Sequence, residues 1–85
     1  MPRSLFSEAY QVVTATLVEL RRTAGVSQVE LARRIGRPQQ FVSFVERGER
    51  RIDVVEFCAI VRALGFEPAT VFVKMEKAFP ADLRI

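Results

Sequence analysis

The chain contains no histidine and no tryptophan. Without an imidazole it lacks the side chain that most readily exchanges protons near neutral pH, which is also the commonest metal ligand. Cysteine occurs once, as Cys58, which excludes an intrachain disulfide and a cysteine-based zinc site. Its apolar neighbours make Cys58 read as a core thiol rather than a nucleophile. Glu46 and Glu49 could suggest paired carboxylates, but Arg47, Arg50 and Arg51 beside them point to ion pairing. No glycine-rich phosphate loop follows a strand. Nothing approaches the roughly 18 uninterrupted apolar residues that span a bilayer, and the opening MPRSLFSEAYQ lacks the apolar run of a signal peptide. The expectations are no enzyme activity, no metal, no cofactor, no membrane partner and a cytoplasmic location.

What the chain does have is arginine, and it is unevenly placed. Eleven of the thirteen basic residues are arginine, in a chain of net charge +3. Residues 21–51 hold eight arginines against Glu30, Glu46 and Glu49, a local +5, which leaves −2 for the remainder. Charge gathered on one segment is the footprint of a polyanion-binding surface, and arginine grips phosphate with two hydrogen bonds where lysine is closer to a point charge.

The same segment reads as two short helices joined by a tight turn. Ser27 followed by Glu30 forms a capping box, with Val26 and Leu31 at the positions of a hydrophobic staple. Leu31, Ala32 and Ile35 share one face, and Gln28, Arg33 and Arg34 point elsewhere. Gly36 stops this helix, and Pro38 suits the first turn of the next. On that second helix Phe41, Val42 and Val45 cluster on one side, with Gln39, Gln40, Ser43 and Arg47 opposite and Phe44 between. Gly48 ends it, and Glu49, Arg50 and Arg51 follow as a charged loop.

Around the segment the pattern is helical throughout. Phe6, Tyr10, Val13, Leu17, Leu20 and Ala24 recur at helical spacing, which predicts a first helix over about residues 7–23, closed by Gly25. Asp53 with Glu56 forms a second capping box and Ile52 with Phe57 a second staple, opening a helix whose buried side is Val54, Phe57, Cys58, Val61 and Leu64. A last helix begins at Pro68 and places Val71, Phe72, Met75 and Phe79 on one face, limited by Pro80. No strand alternation, repeat or linker is visible. Eighty-five residues therefore predict one all-α domain, a compact five-helix bundle spanning residues 1–85.

The pieces LRRTAGVSQVELARRIG, PQQFVSFVERGERR and DVVEFCAIVRALG, at their mutual spacing, resemble the lambda-repressor-like, Cro/repressor or XRE-type helix-turn-helix family. The resemblance runs over roughly residues 17–72, with the helix-turn-helix at about 27–47. It implies a sequence-specific regulator of transcription that binds double-stranded DNA. Position by position, it implies that Gln28 anchors a phosphate and braces the reading helix. Gln39, Gln40, Ser43 and Phe44 match base-reading positions, and Arg37, Arg47, Arg50 and Arg51 match backbone contacts. Phe44 departs from the polar residue the family often carries there. The residues by themselves leave open whether Gln39 caps its own helix, Ser43 is merely solvated and Phe44 folds onto the core.

Residues 66–85 are assigned to a dimerisation segment and tail. Phe66, Val71, Phe72, Val73, Met75 and Phe79 are more apolar surface than one small core needs, so a homodimer interface over Phe66, Val71, Phe72, Met75 and Phe79 is expected. Two reading helices about 34 Å apart would address successive major-groove faces of a palindromic operator. The alternative readings are the DNA-binding antitoxin of a toxin-antitoxin pair, with the toxin as protein partner, and a restriction-modification controller. The sequence does not separate them.

Overall fold

The computed structural model describes residues 7–84, so Phe6 of the first helical stripe lies outside the described residues. Five α-helices follow one another: α1 (Glu8–Ala24), α2 (Gln28–Ile35), α3 (Gln39–Glu46), α4 (Val54–Ala63) and α5 (Pro68–Lys77). There is no strand among the described residues.

Each start has a local cause. The Ser7 and Ser27 hydroxyls accept the N–H groups of Tyr10 and Glu30, at 3.1 and 3.0 Å. The Asp53 carboxylate accepts from Glu56 N–H at 2.7 Å while the Glu56 carboxylate accepts from Asp53 N–H at 2.9 Å, a complete capping box on α4. The box expected on α2 is only half built, because Glu30 turns its carboxylate outward to Arg33 and Arg34. Pro38 is the N-cap of α3 rather than its first helical residue. The α2–α3 turn depends on Gly36, whose φ of 72° lies where a Cβ is disfavoured and lets the Arg37 N–H reach the Ala32 carbonyl at 3.0 Å.

The helices enclose one core. Leu17, Val26, Leu31, Ala32, Val42, Val45, Phe57, Ile60, Val61, Leu64, Val71 and Met75 are all buried, and every helix contributes. The staple pairs behave as the pattern implied, with Val26 and Leu31 both buried and Ile52 lodged against the core near Phe57. α2 packs on α3 and α4, while α1 backs α3, α4 and α5. The short helices of the turn are thus held from behind, and the outer side of α3 stays open.

Two expectations about faces fail. Val54 is 78 % exposed, not core: it opens α4 and overhangs the bundle, and the buried line is Phe57, Ile60, Val61 and Leu64. On α5, Val71 and Met75 are buried in the core of the single chain and are not available to a dimer partner. One turn apart, they form the inward line, and Phe72 stands about 100° away from Val71. Phe66 and Phe79 are half-buried against the core, and Phe79 lies beyond the end of α5. Phe72 and Val73 remain outward, 48 and 52 % exposed.

Leu31→Ala is expected to lower the unfolding free energy by about 2–5 kcal/mol, since transfer and cavity terms add at a sealed site. Val54→Ala should stay within roughly 0.5 kcal/mol of the parent. Urea denaturation followed by circular dichroism measures both, and a large loss from Val54→Ala would restore it to the core.

Candidate nucleic-acid interface

The outward face of α3 carries Gln39, Gln40 and Phe44 exposed and Ser43 half-buried. What orients this face is a chain of polar contacts that begins on the far side of the helix. Arg21, on α1, makes a two-pronged ion pair with Glu46 at the end of α3, Nε to Oε2 at 2.6 Å and Nη2 to Oε1 at 3.0 Å. The remaining Arg21 Nη1 donates to the Val26 carbonyl at 2.9 Å, tying in the α1–α2 connection. The two side chains are only 13 and 8 % exposed. Gln28, the first residue of α2, donates to Glu46 Oε1 at 2.8 Å, and its own carbonyl accepts from Gln39 Nε2 at 2.7 Å. A continuous path therefore runs Arg21, Glu46, Gln28, Gln39, joining three helices. Gln39 does not cap its own helix.

The sequence reading paired Glu46 with the arginines next to it, and the structure corrects that. Glu46 sits one helical turn after Val42 and faces inward with it, out of reach of the loop. Arg21 was missed altogether as a site residue. The available signal was an acidic residue on the apolar side of an amphipathic helix, which demands a buried cation.

Beside α3, the arginines are held by acids and rings. Arg37 and Arg50 lie over the Phe41 ring, 4.7 and 5.0 Å from its centroid. Glu56 of α4 receives both, with Arg50 Nη1 and Nη2 at 3.0 Å each and Arg37 Nη2 at 3.6 Å. Arg50 also donates to the Arg51 carbonyl. Arg51 stacks on Tyr10, 4.4 Å from the ring centroid, and reaches the Ser7 hydroxyl at 3.5 Å. The Tyr10 hydroxyl accepts the Ile52 N–H at 3.0 Å, so the buried end of α1 fixes the loop that carries Arg50 and Arg51. Burial raises the Tyr10 pKa above its usual value. Arg33 and Arg34 are directed elsewhere: both pair with Glu30, and Arg34 also donates to the Ala63 carbonyl at 2.9 Å, closing the end of α4. Arg47 folds along α3 onto Ser43, Phe44 and Glu49.

An exposed polar helix held at a fixed angle by a second helix, with cations on its flank, defines a helix-turn-helix protein. Residues 13–71 match a family model described as a helix-turn-helix domain. A solved XRE-family like protein from Pseudomonas syringae pv. tomato superposes with a TM-score of 0.79 and 46 % identity, over 85 % of this chain and 88 % of that one. The restriction-modification controller protein C.AhdI from Aeromonas hydrophila superposes with a TM-score of 0.68 and 33 % identity, over 79 % of this chain and all of that one. An uncharacterized HTH-type transcriptional regulator of Sinorhizobium fredii is 36 % identical over 55 residues, 65 % of this chain and 71 % of its own length. The chain belongs to the XRE-type helix-turn-helix family of DNA-binding transcriptional regulators. No helix of the described residues is long and apolar enough to cross a membrane.

Glu56 and Glu30 predict the acid response. Hydrogen bonds from Arg50 and from the Asp53 N–H hold Glu56 below the usual carboxylate pKa, and Arg33 with Arg34 hold Glu30 down to about 2. A depressed folded-state pKa contributes stability that is fully present above the unfolded value of about 4.3 and is lost as pH falls toward the folded one. Stability is therefore expected to decline below about pH 5, and Glu56→Gln should flatten part of that decline while leaving less stability at neutral pH. Thermal melts from pH 7 to pH 3 test this, and an unchanged slope in Glu56→Gln would remove the ion-pair cluster as its source.

Proposed function

We propose that this chain is a sequence-specific regulator that acts as a homodimer, each protomer laying α3 in the major groove of one half of a palindromic operator. The observation that carries the reading is the exposed Gln39–Gln40 pair, with Gln39 braced through Gln28 onto Glu46. After donating one N–H to Gln28, the Gln39 amide keeps a second N–H and its carbonyl, which match N7 and N6 of adenine. Gln40 offers the same pair of groups. Gln28 likewise keeps one N–H beyond its bond to Glu46, enough for a phosphate oxygen. Arg37, Arg50 and Arg51 flank α3 and serve phosphates, supplying affinity that falls steeply with salt and carries little sequence information.

The homodimer rests on α5. Phe72 and Val73 are adjacent and about half exposed, Phe72 flanking the buried line of Val71 and Met75 and Val73 opposite it. Pairing this patch across a two-fold axis covers it with its own copy, which is the economical solution for reading two half-sites.

Fluorescence anisotropy with the duplex upstream of the protein's own gene, against a scrambled duplex at low and near-physiological salt, tests the reading. Specific binding is expected to survive the higher salt. Gln39→Ala with Gln40→Ala should erase the difference between duplexes while weak binding to both persists, and Arg50→Ala should weaken both equally and reduce the salt slope. Retained discrimination in the double variant would sink the readout assignment. Phe72→Glu should keep the helical circular dichroism spectrum but yield monomer in sedimentation velocity, with a melting temperature that no longer rises with protein concentration, and a persistent dimer would move the interface elsewhere.

A further inference from the structure

Arg47, which the resemblance assigns to the DNA backbone, does not project off the flank of α3. Its guanidinium folds back over the reading face: Nη1 donates to Ser43 Oγ at 2.7 Å and Cζ stands 5.1 Å from the centre of the Phe44 ring. The other edge of the fork, Nε and Nη2, donates to the two carboxylate oxygens of Glu49 at 3.2 Å each. Resting on the reading of α3 as the groove helix, we propose that Phe44 and Arg47 form a joint reader of two adjacent base pairs, thymine facing Phe44 and guanine facing Arg47, with Glu49 occupying the guanine-reading edge until DNA arrives.

Four observations carry this. Glu49 presents two acceptors to the fork, the same pattern that N7 and O6 of guanine present in the major groove. The pair is half exposed on both sides, 52 and 50 %, so solvent keeps it weak and an equivalent acceptor pair can displace it. Phe44 is 39 % exposed and brings an apolar ring to a face otherwise made of amides and a hydroxyl. The thymine methyl is the apolar group that the groove floor offers to such a ring. Phe44 and Arg47 are three residues apart and their side chains are stacked, 5.1 Å between Cζ and the ring centre, so the groups they reach lie close together in the groove. The bond to Ser43 and the stack on Phe44 keep the guanidinium on the outer face of α3, where a phosphate-bound arginine would swing outward. Arg47 and Phe44 thereby extend the readout beyond the two glutamines, toward the end of α3.

The test uses the full chain and a duplex that it selects from a random library, with base pairs replaced one at a time and affinities read by anisotropy. Arg47→Lys, which keeps the charge but loses the fork, is expected to lose about tenfold or more of its preference at one guanine and to keep the wild-type salt slope. Replacing that guanine by 7-deazaguanine should weaken the wild-type chain comparably and leave the variant unaffected. Uracil for the neighbouring thymine, which removes only the methyl, should weaken the wild-type chain but not Phe44→Ala. Circular dichroism melts confirm that both variants fold. Arg47→Lys retaining the guanine preference, or indifference to 7-deazaguanine at every selected guanine, would overturn the proposal. If Gln39→Ala with Gln40→Ala still erases discrimination at its own positions in that case, the groove reading stands and only the joint reader falls. If neither variant alters any base preference, both fall together.

Discussion

The position of the reading helix depends on the Arg21–Glu46 ion pair. A carboxylate on the inward side of α3 would be expensive to bury alone, and several kcal/mol of desolvation attend each ion removed from water. Glu46 meets that demand with three hydrogen bonds, two from Arg21 and one from Gln28. Such a pair is weak support for stability, because apolar residues of similar volume could fill the space as well. Its effect is geometric: it admits one arrangement of α1, α2 and α3, because any other leaves a buried charge without partners. Gln28 then passes that constraint to Gln39, so the orientation of an exposed amide is set by a buried pair on the other side of the helix.

The surface arginines follow a different rule. Glu56 holds Arg37 and Arg50, Tyr10 and Ser7 hold Arg51, and Glu49 holds Arg47. None of these arrangements is deeply buried, so solvent screening keeps each one modest. The cations are oriented in advance at small energetic cost and can be surrendered to a stronger anion. Arg34 shows the contrast, since it joins Glu30 of its own helix to the Ala63 carbonyl at the end of α4, while Arg33 pairs with Glu30 alone. A local +5 is thus divided by position into charges that serve the fold and charges that face outward, a division invisible to any count.

The fold was largely legible in the sequence because its punctuation is local. Ser27, Gly25, Gly36, Asp53 and Pro68 act within a turn of their own positions, and the boundaries they imply agree with the helices to within a residue or two. Faces were harder. Val54 and Val71 are the same residue type, yet one overhangs the bundle and the other is sealed inside it, because the difference depends on where neighbouring helices end. The expected dimer surface failed at Val71 and Met75 for that reason: an apolar stripe identifies a buried line without saying what buries it. The support beneath the reading face was less legible still. Arg21 and Glu46 are 25 residues apart, and only the packing of α1 against α3 brings them to 2.6 Å.

The separation between support and readout has a consequence for how such a surface changes. Gln40, Ser43, Phe44 and Arg47 lie on the outer side of α3 and share no hydrogen bond or ion pair with the Glu46 network, so they can vary without disturbing the angle of the helix. Gln39 is different, since its amide donates to Gln28 and so belongs to that network. Substitution at Gln39 removes the brace, whereas substitution at Phe44 removes only the ring beneath the Arg47 guanidinium. The exposed side chains toward the end of α3 are therefore free to vary while Gln39 is tied to the fold. The apolar Phe44, placed where a polar side chain would serve a generic reader, is the kind of change this freedom permits.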